Sequence, residues 1–284
     1  MFLNKFAYRF KRKLLNLIFK NSFLKKPLPR HPFGRELYSD KETYLCLHKE
    51  AIESENIEVS SFEKEYGYSI DKKWFSNLAL HTQACIKKSK LNYSHGKLLY
   101  TLLSKYLNQQ KNLKKQQAQI NILETGTARG FSSICMSKAL IDNNAKGKLI
   151  TIDCISHNEK ILWNCIDDIE GPRTRSKLLE HWKDELSNII FIQGWTMETL
   201  YKIGIDRINF AFLDAQHTKN DVLNEFKFVA QRQLKGDIIF FDDVTVGLFD
   251  GVCKAVNEIE IKYSYKIKRL NFSKERSYAI AERI

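Results

Sequence analysis

With 284 residues, 43% apolar and 12% aromatic, and only 4 Pro and 12 Gly, the chain has the material for a sizeable buried core. That excludes a disordered or collagen-like polymer. The formal charge of +13 would suit a nucleic-acid binder, but nine of the 46 basic residues fall within positions 1–30, where no acid stands, leaving 37 basic against 33 acidic residues elsewhere. The basicity is that of a tail rather than of a phosphate-tracking face, so no nucleic-acid partner is expected.

Within residues 1–26, Leu3, Phe6, Phe10, Leu14 and Leu17 recur at spacings of three and four, and Lys5, Arg9, Arg12, Lys13 and Lys20 fall mostly beside that stripe. The pattern predicts a basic amphipathic helix, which either makes peripheral contact with an anionic membrane or packs on the protein's own body. Pro27, Pro29 and Pro32, followed by Gly34, mark a linker. Residues 31–118 read as a helical N-terminal or lid region. Trp74, Leu78, Leu80, Ala84 and Ile86 suit one helix, Leu98, Leu99, Leu102, Leu103 and Leu107 another, and residues 111–118 a polar connector. Six cysteines, at 46, 85, 135, 154, 165 and 253, form no CxxC pair or zinc spacing and read as reduced thiols of a cytoplasmic protein.

From residue 119 to 284 the text changes to short apolar runs alternating with longer helical patterns. The runs are 119–124, 148–153, 189–193, 207–213 and 236–242. Continuous hydrophobicity at strand length predicts strands covered on both faces, hence a parallel sheet. Residues 264–270 and 276–282 are too close for a crossover helix and predict an antiparallel hairpin at the sheet edge. The expected fold class is α/β: a Rossmann-like, doubly wound, mostly parallel sheet with a terminal antiparallel hairpin and an N-terminal helical extension.

In such a sheet, ligands bind outside the carboxyl ends of the strands, and four of the five ends here carry a carboxylate. The first turn, Glu124-Thr-Gly126-Thr127-Ala-Arg-Gly130-Phe-Ser132-Ser133, departs from G-x-G-x-x-G at Ala128 and Phe131, which disfavours a nicotinamide-binding oxidoreductase. Gly126 allows close approach of the backbone to a ligand, and Gly130 close packing of the helix start. Ser132 and Ser133 with the helix-start N–H groups suit a carboxylate, Glu124 an ammonium, and Asp153 both hydroxyls of a ribose. Amine, carboxylate and ribose together describe S-adenosylmethionine. Gly194 and Trp195 follow the third strand, where the indole is placed to stack near an adenine.

The stretches ILETGTARGFSS, LITID, FIQGW and FAFLDAQH make residues 92–284 resemble a class I S-adenosylmethionine-dependent methyltransferase. The loop is similar to the catechol and caffeoyl-CoA O-methyltransferase type, and the wider text resembles methyltransferases of bacterial polysaccharide pathways. This resemblance implies a cytoplasmic transferase that O-methylates a hydroxyl of a sugar, a glycan or another small-molecule acceptor. A non-catalytic, membrane-docking scaffold with the same fold is the remaining alternative, and homo-oligomer formation is left open.

Asp214, Asp242 and Asp243 end neighbouring strands, and crowded carboxylates raise one another's pKa unless a cation joins them. The resemblance implies a magnesium site: Asp214 and Asp242 match acidic positions of the catechol type, and Asp243 stands where that type has Asn. Alternatively, Asp243 and Thr245 cap a helix beginning near Gly247. His217 stands where the catechol type has a lysine base, and an imidazole there could take the acceptor's proton, with Asp214 beside it. The long connection 154–175, with Trp163, Arg173 and Arg175, reads as a substrate lid whose arginines grip an acceptor anion.

Overall fold

In the computed structural model, the description covers residue 33 and residues 37–54, 56–112, 119–272 and 276–284. The tail expected over residues 1–26 and the proline linker lie outside the described residues.

Four helices come first: α1 (Lys41–Glu53), α2 (Ile57–Tyr66), α3 (Lys72–Thr82) and α4 (Ser94–Asn112). Their starts are written in the sequence, because Asp40, Asn56 and Asp71 each accept a hydrogen bond from a first-turn N–H and satisfy donors the helix leaves unpaired. The helix expected through Ala84 and Ile86 ends at Thr82. The chain then runs as a loop to Tyr93, with Ala84 and Cys85 buried and the Ala84 N–H bonded back to the carbonyl of Ala79.

The alternating half follows: β1 (Ile120–Thr125), α5 (Phe131–Asp142), β2 (Gly147–Asp153), β3 (Ile189–Gln193), β4 (Phe210–Leu213), α6 (Lys219–Ala230), β5 (Ile238–Phe241), α7 (Asp250–Lys262), β6 (Tyr265–Asn271) and β7 (Ser277–Arg283). Short helical turns occupy parts of 166–202. The sheet order is β3-β2-β1-β4-β5-β7-β6, with β1 to β5 parallel and β7 antiparallel to both β5 and β6. The hairpin expected at the edge is there. The strand order reverses at β1, where the doubly wound fold opens its crevice.

Strand residues alternate between two cores. Ile122, Leu149, Phe210, Phe212, Ile238 and Phe240 face one side and share a cluster with α2 to α5. Leu123, Ile152, Ala211, Leu213, Ile239 and Phe241 face the other, against α6 and α7. The N-terminal helices thus form one of the two layers covering the sheet. At about 25 cal/mol per Å2 of apolar surface, a layer of this kind contributes a large part of the fold's stability. No helix among the described residues is long and apolar enough to cross a membrane.

Candidate active site

The crevice at the carboxyl ends of β1, β2 and β4 begins with a loop in an uncommon backbone conformation. Gly126, Ala128 and Gly130 all have positive φ, at 90°, 46° and 92°. At Gly126 the requirement is strict, since a Cβ there would lie 2.2 Å from the backbone oxygen of Asp214. Only glycine lets the ends of β1 and β4 press together in this way.

Glu124 is fully buried beneath the loop, and its two oxygens accept the hydroxyls of Ser133 and Ser132. Burial pushes its carboxyl upward, and the serine hydrogen bonds partly counter this. Glu124, expected to meet an ammonium, and Ser132 and Ser133, expected to meet a carboxylate, bond to one another in this structure.

Asp153, at the end of β2, accepts the N–H of Ala128 at 2.7 Å through one oxygen and that of Ile155 at 2.7 Å through the other. Arg175, buried at 2% exposure, donates to the carbonyls of the same two residues. Asp153 and Arg175 thus fix the shape of the cradle from both polarities, and the carboxylate keeps lone pairs for two hydroxyls. Thr127 bonds to Thr151 across the β1–β2 seam. Gly194 follows β3 where a Cβ would clash with the Thr199 side chain, and Trp195 beside it is 38% exposed.

The connection 154–175 differs from a lid. Trp163 and Cys165 are fully buried with Phe33 and Leu178, and Arg129 donates to the carbonyls of Trp163 and Asn164. Asp167 pairs with His81 of α3 at 2.6 Å, and Arg173 pairs with Asp167 and Glu170. Both arginines expected to grip an acceptor are committed to the fold. The segment's aromatic and charged residues serve packing and ion pairing rather than a hinge.

At the other side of the crevice, the chain turns sharply after β5. Asp243 has φ 56°, so the two successive carboxylates do not point oppositely as they would on a strand. Arg276, immediately before β7, reaches both, at 2.6 Å from Asp243 and 3.4 Å from Asp242. The second oxygen of Asp243 lies 3.1 Å from His217 Nε2. The ring of His217 stands 4.7 Å from that of Phe249. Thr218, not His217, caps α6, and α7 starts at Asp250, so Asp243 caps no helix.

Burial first, then Asp242 and Asp243, push the Asp214 carboxyl well above the usual range. Burial and Asp243 push Asp242 up to about 6 against the pull of Arg276. Asp214, His217 and Asp243 each offer a ligand atom within 4.8 Å of the others. Asp242 is outside that trio, since its Oδ1 takes the N–H of Asp243 at 2.6 Å and Arg276. Of the three aspartates expected to hold a metal, Asp214 and Asp243 belong to this trio together with His217.

Arg276 was missed from sequence because it follows a polar turn rather than a motif. The signal was topological: a strand running antiparallel to β5 begins at the carboxyl edge. His95, in the first turn of α4, was also missed. Its ring is 5.0 Å from Phe131 and 6.4 Å from Phe212, and burial with nearby Arg276 and Lys87 lowers its pKa to about 3, so it is neutral.

Residues 123–244 match a family described as a methyltransferase domain. No curated protein matches the chain. Among solved structures, the fold is similar to cofactor-bound Rv0187 from MTB, with TM-score 0.52 and 17% identity over 75% of this chain and 90% of that one. It is also similar to the O-methyltransferase TomG from Streptomyces achromogenes in complex with SAM, with TM-score 0.50 and 19% identity over 75% and 91%. The domain match spans the segment from the glycine loop to the paired aspartates, within the doubly wound sheet expected from sequence. By that match residues 123–244 are a methyltransferase domain.

Proposed function

We propose that the protein transfers a methyl group from S-adenosylmethionine to a hydroxyl oxygen of a sugar or glycan, with His217 as general base. The carrying observation is the chain Arg276–Asp243–His217, which opens at the ends of β4 and β5 across the crevice from the glycine cradle.

The cradle fits the cofactor. Asp153 has acceptor capacity for ribose hydroxyls, half-buried Gly126 carries no side chain beside it, and Trp195 offers an aromatic face beside Gly194. When bound, S-adenosylmethionine supplies an electrophilic methyl carbon whose bond to sulfur breaks as the new carbon–oxygen bond forms, the electron pair staying on sulfur.

The protein's own task is to align the acceptor and receive its proton. With the proton of the imidazole on Nε2, Asp243 accepts it and holds the ring, leaving Nδ1 to take the hydroxyl proton. Arg276 holds the other oxygen of Asp243, so the carboxylate stays oriented. The His217 side chain keeps 45% of its surface exposed, enough to face an acceptor. A groove reaching Arg276 carries Ser89, Asn92 and Ser94 among apolar walls, and these polar side chains support a hydroxyl-bearing acceptor such as a sugar.

The compact Asp214, His217 and Asp243 trio favours a second reading, in which these residues hold a divalent ion and His217 is a ligand instead of a base. Transfer of labelled methyl from S-adenosylmethionine, assayed over sugar phosphates, oligosaccharides and catechols, tests the proposal. Labelling of sugars that survives chelator and falls roughly 10²- to 10⁴-fold in His217→Asn is expected. Loss with chelator selects the metal reading. Labelling of catechols alone overturns the acceptor class, and failure of the cofactor to bind overturns both readings.

A further inference from the structure

The groove that meets Arg276 has an unusual charge. It measures about 690 Å3 and runs between α1 and α2 on one side and the 89–97 segment on the other. Among the described residues, Lys90, Lys97 and Arg276 line it against a single acid, Glu58. A second recess of about 410 Å3 shares Ala51, Ser89, Lys90 and Leu91 with it and adds Lys87 and Lys88. Among the described residues, Lys87, Lys88 and Lys90 make no ion pair. The Lys87 ammonium is held below its usual pKa, first by burial and also by the charges of Arg276 and Arg129, so this wall repels further positive charge.

Resting on the methyl-transfer reading above, we propose that this groove binds a phosphate group of the acceptor. Its lysines would hold the phosphate while the hydroxyl to be methylated reaches the edge where Arg276 meets Asp242 and Asp243. Arg276 joins the groove to that edge, since it lines the one and pairs with the aspartates of the other. A cluster of mobile ammonium point charges suits the three-fold oxygen face of a phosphate. A carboxylate would be matched better by the planar fork of an arginine, and the only arginine in the groove wall is already engaged by two aspartates. An anion also relieves mutual repulsion of the lysines, which Glu58 and Asp242 offset only in part. The arginines of the 154–175 segment cannot serve, being committed to Ala128, Ile155, Asp167 and Glu170.

The test is calorimetry on the full chain saturated with S-adenosylhomocysteine, titrated with inorganic phosphate, pyrophosphate and citrate. Wild type should bind one or both phosphates more tightly than citrate, and the better of the two tells whether the acceptor carries a mono- or a diphosphate. Lys90→Glu combined with Lys97→Glu should weaken phosphate binding about tenfold or more, while S-adenosylhomocysteine affinity stays the same. Lys90→Arg with Lys97→Arg should retain most of it. Phosphate binding that is absent, equalled by citrate, or indifferent to the double charge reversal overturns the proposal while leaving methyl transfer standing. A wild-type protein that does not bind S-adenosylhomocysteine removes the underlying reading instead.

Discussion

The two sides of the crevice solve the same problem by opposite means. Around β1 and β2, the main buried polar groups meet hydrogen-bond partners of their own: Glu124 two serines, Asp153 two N–H groups, Arg175 two carbonyls. At the ends of β4 and β5, three carboxylates lean on one arginine and one histidine, and two of their pKa values rise. The cradle is complete before any ligand arrives. The acidic edge is held in an electrostatically costly state, the usual mark of a place where protons or charges move. Binding is built from satisfied groups, and chemistry from unsatisfied ones.

The largest effect should come from breaking the cradle. Gly126→Ala places a Cβ against the Asp214 carbonyl at a positive φ, so the strand ends must separate. A loss of at least about 3 kcal/mol in urea unfolding is expected, with S-adenosylhomocysteine binding abolished in calorimetry. Near-normal binding would mean that the β1–β4 contact is not what shapes the site.

The acidic edge should respond through pH instead. Arg276→Leu strips Asp242 and Asp243 of their cation and should cost roughly 3 kcal/mol near pH 8. The folded pKa of Asp242 is raised from 3.8 to about 6 even with Arg276 present. Its contribution to stability is therefore full below the unfolded value and lost as pH rises through the folded one. Without Arg276 the folded value climbs further, and the variant should regain stability on going from pH 8 to pH 5. An equal deficit at both pH values would assign Arg276 a packing role only.

The smallest effect tests the seam between the two sides. Glu225 of α6 is buried, accepts the Thr125 hydroxyl at 2.8 Å, and leaves Oε1 without a hydrogen-bond partner among the described residues. Burial raises its pKa from 4.5 to about 7. Its stabilising share, present below pH 4.5, is lost as pH passes 7. Glu225→Gln should thus match wild type at pH 5 and exceed it by about 2 kcal/mol at pH 8, read from denaturation midpoints. Equal stability at pH 8 would mean that the carboxyl ionises without penalty.

The fold was legible because buried parallel strands carry their signal locally. The run 189–193 is β3 to the residue, and the other strands shift by one to three positions at their ends. The glycines and Asp153 were legible for the same reason, each sitting at a strand end. What escaped were partnerships across the chain. Ser132 and Ser133 look like ligand donors until α5 packs against β1, Trp163 looks like a lid residue until Phe33 and Leu178 cover it, and Arg276 gains meaning only when β7 lies beside β5. The 31–118 segment reads as separate from the catalytic half, yet its helices complete the core on one face of the sheet. Such contacts depend on topology, which no local window of residues contains.

The left-handed turn at Asp243 also bears on how such a site diversifies. Apart from glycine, asparagine and aspartate are the side chains that most readily accept that backbone. Exchanging one for the other swaps a single heavy atom and adds or removes a full charge without bending the chain. A lineage could therefore pass between a neutral amide and a carboxylate salt-linked to Arg276 in one step, retuning its electrostatics on an unchanged scaffold.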